Sequence, residues 1–146
     1  MVAVTKYQSY NRNAAASTAG VIQINHNLAA SGAFRLVLLS PSYTFDNAHS
    51  AYSQLVAAEI SAANYTSGGL VLTNVTYTVA ASGTATFDAA DVVVTASGTD
   101  MSAAGAALRR QGGPLMFFVD FEATETAGDG TTFTIAFASD GITQIK

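Results

Sequence analysis

The segment Thr131-Thr132-Phe133-Thr134-Ile135-Ala136-Phe137 alternates small hydroxylated residues with large apolar ones. A period of two sends successive side chains to opposite faces, which fits a strand with one face buried and the other wet. Val71-Leu72-Thr73-Asn74-Val75-Thr76-Tyr77-Thr78-Val79 is read as one strand that alternates from Val75 onward, with the returning strand expected at Thr84-Ala85-Thr86-Phe87 after an Ala81-Ser82-Gly83 turn. Asp91-Val92-Val93-Val94-Thr95 is β-branched and closes on Ser97-Gly98, while Asp129-Gly130 introduces the strand that follows it. Phe34-Arg35-Leu36-Val37-Leu38-Leu39 stops at Ser40-Pro41, and Leu115-Met116-Phe117-Phe118-Val119-Asp120-Phe121 is apolar almost throughout, as a central strand buried on both faces would be. Weaker strands are read at Val21-Ile22-Gln23-Ile24 and in the tail from Gly141 to Lys146.

Two stretches depart from this pattern. Between Asp46 and Ile60, apolar residues recur near helical spacing at Ala48, Tyr52, Leu55, Val56 and Ile60, so one amphipathic helix or helical turn is expected there, capped by Asp46 or Asn47. Met101 to Arg110 is rich in alanine, which favours a helix, but Gly105 at its centre and strands on either side favour a strand. The strand reading is taken. About eight strands with short turns and one short helix give a mainly β, single-domain chain: a β-sandwich or a jelly-roll-like barrel. Residues 1–20 bury little and show no periodicity, so they are expected to form an extended N-terminal arm on a body spanning 21–146.

Charge narrows the function. Asp, Glu, Lys and Arg make up 11% of the chain, against about 25% in an average soluble domain. Six basic and ten acidic residues leave a net charge of −4, and Arg109-Arg110 is the one basic pair. A nucleic-acid partner is therefore not expected. Mean hydropathy is +0.29, yet no run approaches the roughly 20 apolar residues of a membrane span. The opening residues carry no apolar signal-peptide core, so no membrane partner and no secretion are expected, and the sequons at Asn64 and Asn74 are read as strand-end polar residues. The chain has no cysteine, which removes disulfides and thiolate chemistry.

Catalytic constellations are sparse. His26 and His49 lie far apart in sequence, and Asp46 with His49 reads as a cap beside a hydrogen-bonded histidine rather than a metal or acid–base pair. Asp120 and Glu122 would share a strand face, as a glycosidase's two carboxylates must face one another. Like Asp88, Asp91 and Glu125, they are read as solvating acids near strand ends. Ser67-Gly68-Gly69 and Gln111-Gly112-Gly113-Pro114 each precede a strand, not a helix, and read as turns with positive φ rather than phosphate loops. Tyr43, Phe45, Tyr52 and Tyr65 either stack on a partner or pack the expected helix on the sheet. No enzyme activity, no cofactor and no metal are expected.

Several of these residues recur together. Tyr43-Thr44-Phe45-Asp46, His49, Tyr52, Glu59-Ile60-Ser61, Asn64-Tyr65-Thr66-Ser67-Gly68-Gly69 and Leu72, followed by Phe87 to Val92, Pro114 to Phe121 and Gly130 to Ile135, resemble in order and spacing a pattern of small virion proteins of tailed bacteriophages. The likeness covers roughly Leu36 to Ile142. It departs at Asn64, where the pattern has glycine, and over Met101–Arg110, where it has an aromatic strand. The resemblance implies a capsid decoration, or cement, protein in the virion, assembled in the host cytoplasm. Its implied partners are the major capsid protein and itself, as a homotrimer. Tyr7, Tyr10 and Arg12 in the arm, with Arg109 and Arg110, are the interface candidates, because aromatic and arginine residues dominate interface energetics. The alternatives are a neck or tail virion subunit and a carbohydrate-binding β-sandwich. The neutral, alanine-rich stretches then become surface that meets neighbours.

Overall fold

The computed structural model describes residues 3–7, 33–79, 85–139 and 141–145. Ten strands lie among them: β1 (Ala3–Lys6), β2 (Phe34–Leu39), β3 (Leu70–Val71), β4 (Thr76–Val79), β5 (Ala85–Asp88), β6 (Val92–Thr95), β7 (Met101–Arg110), β8 (Leu115–Ala127), β9 (Thr132–Ile135) and β10 (Thr143–Ile145). They form a five-stranded sheet in the order β1-β8-β7-β2-β3, a three-stranded sheet β10-β5-β4 and a two-stranded sheet β6-β9, with every pairing antiparallel. No sheet among the described residues closes into a barrel.

Alternation sorts the large sheet into two faces. Phe34, Leu36 and Leu38 of β2 join Leu108, Ala106, Ala103 and Met101 of β7 in one buried cluster, which the two smaller sheets complete with Phe87, Val92, Val94, Phe133 and Ile135. Val37 and Leu39 point the other way, into a second cluster with Ala107, Phe118, Leu115, Leu55 and Tyr7. Each fully buried aliphatic or aromatic side chain contributes about 1.5–3 kcal/mol through removal from water. Both faces of the central strands are therefore dry. Leu115 to Val119 are all buried, which is why that run carries no alternation.

The alanine-rich segment Met101–Arg110 is a strand. It lies between β2 and β8, and at its centre large side chains on both neighbours leave room only for small ones: Ala107 stands between Val37 and Phe118, and Ala106 between Leu38 and Val119. Neighbour size overrides alanine's preference for helix. Gly105 is the tightest point, because a Cβ there would lie 2.8 Å from the Phe118 ring. Just beyond it the ladder slips. Ala104 alone stands opposite Phe121 to Thr124, and Glu122 adopts a φ of 64° in the bulge.

Three expectations need correction. Over Asp46 to Ile60 there is no α-helix, only a 3-10 turn at Tyr52–Gln54 followed by hydrogen-bonded turns. The backbone there serves the sheet instead: Leu115 N donates to Ser50 O, Ser40 N to Ala58 O and Ile60 N to Leu38 O, and Glu59 bridges Leu39. Residues 3–7 are not an arm. Ala3 to Lys6 pair with Asp120 to Phe117 as the edge strand of the large sheet, and the buried Tyr7 donates its backbone N–H to Met116 O. The strand read through Val71 to Val79 is broken by Asn74 at φ 51°, which separates β3 from β4. The remainder of the expected arm, the Val21–Ile24 strand and the Ala81–Gly83 turn lie outside the described residues.

Candidate functional site

Pattern residues between Tyr43 and Gly69 gather into two hydrogen-bonded groups at the large sheet, whereas Leu72, Phe87, Val92, Phe133 and Ile135 lie in the first cluster. In the first group, Tyr7 enters from the end of β1 and its ring meets Phe45 at 5.1 Å between centroids, with Phe45 in turn stacked on Phe118 at 5.3 Å. The Tyr7 and Tyr43 hydroxyls are 3.0 Å apart, and the Tyr43 hydroxyl lies 3.2 Å from His49 Nδ1. His49 Nε2 is 3.9 Å from the Asp46 carboxylate. Asp46 also accepts the Ala48 N–H at 2.8 Å. Its carboxylate therefore caps a turn, and His49 is hydrogen-bonded, as the plainer reading of this pair had it. Burial raises the pKa of the Tyr7 phenol far above its usual value, and that of Tyr43 less so.

The second group is built around Glu59. Its carboxylate accepts from the Tyr52 hydroxyl at 2.5 Å, the Tyr65 hydroxyl at 2.7 Å, Ser67 Oγ at 3.1 Å and the Gly68 N–H at 2.8 Å. Four donors match the acceptor capacity of a carboxylate. Tyr65 in turn accepts the Leu38 N–H at 3.1 Å, tying the group to β2. Burial, helped by the Glu59 charge, raises the pKa of the Tyr65 phenol, and the Tyr52 phenol is shifted the same way.

Arginines close the group from the strand side. Arg109 is only 8% exposed; its Nε and Nη2 both donate to Gly68 O, at 3.0 and 2.8 Å, and its guanidinium carbon lies 4.2 Å from the Tyr52 ring centroid. Burial lowers its pKa, while Tyr52 and Glu59 oppose that shift. Arg35 stands directly across the ladder from Arg109, an arrangement of like charges that costs free energy. Arg35 spreads its charge over Gln111 Oε1 at 2.7 Å and Gly69 O at 3.0 Å. Gly68 and Gly69 have φ of 96° and 100°, and a Cβ on Gly69 would lie 2.8 Å from Leu36 O. The glycine pair is a turn pressed onto β2, which is the turn reading of Ser67-Gly68-Gly69.

The sequence candidates separate accordingly. Tyr7 is interior and Arg109 is a clamp, so neither presents itself to a partner as expected. Arg110 remains on the surface at the β7–β8 turn, half-buried. Tyr10, Arg12 and His26 lie outside the described residues. Asp120 and Glu122 do not stand in a regular strand: Glu122 has a φ of 64°, and Asp120 Oδ1 accepts the Glu122 N–H at 2.9 Å within the bulge. Asn64 donates to Thr95 O at 3.0 Å, joining the cover to β6. Glu59, the hub of the second group, was not singled out as a site residue, since its donors are spread from Tyr52 to Gly68 at no regular spacing. Among the described residues no group of three or more His, Asp or Glu is placed to hold a metal ion, and no helix is long and apolar enough to cross a membrane. Chemically, the Glu59 carboxylate is saturated with internal hydrogen bonds, and both groups fasten a loop cover to a sheet. Comparison of the chain with protein-family models, with curated proteins and with solved structures finds no match.

Proposed function

We propose that the protein is a structural subunit of a tailed-bacteriophage particle, a capsid decoration protein that binds major capsid subunits on the head. The observation that carries this reading is the use made of the recurring pattern. Tyr43, Phe45, Asp46, His49, Tyr52, Glu59, Tyr65, Gly68 and Gly69 are all spent on holding the cover to the sheet. A motif that builds a rigid body, rather than lining a reactive cleft, suits a protein whose work is to be a shape. The outer surface agrees. Thr76, Thr78, Val93, Thr95, Thr132 and Thr134 are exposed on strands β4, β6 and β9, giving uncharged faces of small side chains that other proteins can cover at low desolvation cost. Repeated weak contacts on a lattice add up through avidity.

The test is co-sedimentation with heads of the phage that carries this sequence, stripped of the protein. Saturable binding in many copies per head, with a higher temperature of head disruption, is the expected result. Binding confined to the neck or tail would replace the decoration reading with the neck or tail one. Failure to bind any virion component, or selective retention on a glycan array, would overturn both.

A further inference from the structure

The large sheet is electrically polarised along its strands. Every arginine among the described residues lies at one end of it: Arg35 near the start of β2, and Arg109 and Arg110 at the end of β7. At the other end, nine residues up β7 and so about 30 Å away, the exposed acids gather: Asp100 just before β7, Glu125 near the end of β8 and Asp129 just after it, with Asp120 lower on β8. Asp129 Oδ1 accepts the Gly98 N–H at 2.7 Å, and Asp100 Oδ1 accepts the Asp129 N–H at 3.0 Å. Both carboxylates are thus held on one pair of loops. The acids nearer the arginines do not cancel them. Glu59 is saturated by its four donors, and Asp46 is engaged with Ala48 and His49. Asp88 and Asp91 belong to the smaller sheets, where each accepts a backbone N–H.

The shape favours contact end to end. β2 pairs with β7 only from Arg110 to Gly105, and β1 with β8 only from Phe117 to Asp120. Beyond those points neither edge of the β7–β8 ribbon pairs with a described strand; Met101, Ala103 and Ala127 there are buried against β6 and β9, while Asp100, Glu125 and Asp129 stay exposed at that end. The opposite end is the Arg110-Gln111-Gly112-Gly113 turn, where a Cβ on Gly112 would meet nothing within 4 Å. The faces between are covered by the smaller sheets on one side and by residues 43–58 on the other.

We propose that copies of this chain associate head to tail, the acidic ribbon tip of one seated against the arginine-bearing turn of the next. Such a contact is heterologous, so it generates a ring or a filament rather than a two-fold dimer. The partner surface fits the reading of the protein as a multi-copy virion subunit, but the test needs no heads, so the two fail separately. The purified chain is followed by sedimentation velocity across a concentration series at about 50 and about 500 mM salt, with Arg110→Glu and Glu125→Arg alongside. Neither side chain carries a hydrogen bond of the fold described above, and circular dichroism checks that both variants remain folded. The expected result is species larger than a dimer at low salt, weakened about tenfold or more by high salt because exposed charges are screened. Each variant alone should stay monomeric under those conditions. An equimolar mixture of the two should associate, since one retains the carboxylates and the other the arginines. A monomer at every concentration, association indifferent to salt, a stop at two copies, or no recovery in the mixture would each overturn the proposal.

Discussion

Glu59 carries more of the structure than its half-buried position suggests. Glu59→Gln preserves volume but turns one acceptor oxygen into a donor facing other donors, and the Gly68 N–H cannot rotate to adapt. A loss of about 1–3 kcal/mol is expected, read as a lower urea midpoint with an unchanged slope. The phenols set the alkaline limit. Tyr7 and Tyr65 are held protonated in the fold above their usual value of 10.0. The unfolded chain gives up those protons once the pH passes 10, so their contribution is intact below that pH and is lost as pH rises beyond it. Tyr65→Phe should therefore flatten the decline of stability measured between pH 9 and 11, even while lowering stability at neutral pH. None of this was legible in the chain beforehand. Tyr7 stands among residues with no periodicity, and its burial comes from Phe45 and Phe118, which reach it only through the sheet. Asp46 and His49 were legible, because a cap acts within three residues of itself.

Elements were more readable than residues, and for the same reason. β2 was marked by its own apolar run and the Ser40-Pro41 stop, and β9 by strict alternation, since both signals depend on immediate neighbours. The segment from Asp46 to Ile60 was not, because its backbone bonds to β2 and β8, and helical spacing of a few apolar residues does not compete with a waiting sheet edge. The placement of β7 makes Gly105 a critical position. Gly105→Ala would drive a methyl into the Phe118 ring and toward Val119 O at 2.9 Å, and a cost of about 1–3 kcal/mol is expected for such overpacking. Turn glycines offer a graded control. Gly69→Ala meets both a positive φ and the Leu36 carbonyl, whereas Gly112→Ala meets only the φ of 69°. Thermal unfolding should place Gly69→Ala well below Gly112→Ala.

At the scale of the whole molecule, the scarcity of charge has become a matter of arrangement. Threonines cover the outer strands, and on the large sheet the arginines stand at one end while Asp100, Glu125 and Asp129 stand at the other. The molecule also depends on its first residues. Deleting residues 1–7 would uncover the edge of β8 at Phe117 to Asp120 and empty the space that Tyr7 fills beside Phe45. A stability loss of about 3 kcal/mol or more is expected, with increased binding of a hydrophobic dye as the direct sign of the opened pocket. If the truncated chain unfolds at the same denaturant concentration as the full one, the strand contributes nothing to the fold.

The pairing of β1 with β8 also has a consequence in time. Ala3 to Lys6 leave the ribosome well ahead of their partners Phe117 to Asp120, which are made more than a hundred residues later. At about 5–20 residues per second the opening strand waits on the order of 6–25 seconds for its place. Sheets built from such distant pairings fold slowly once the chain is free. A nascent chain stalled before Asp120 should therefore leave its first residues open to protease, however much of the later sheet has formed. β1 becomes structure only once β8 has been made.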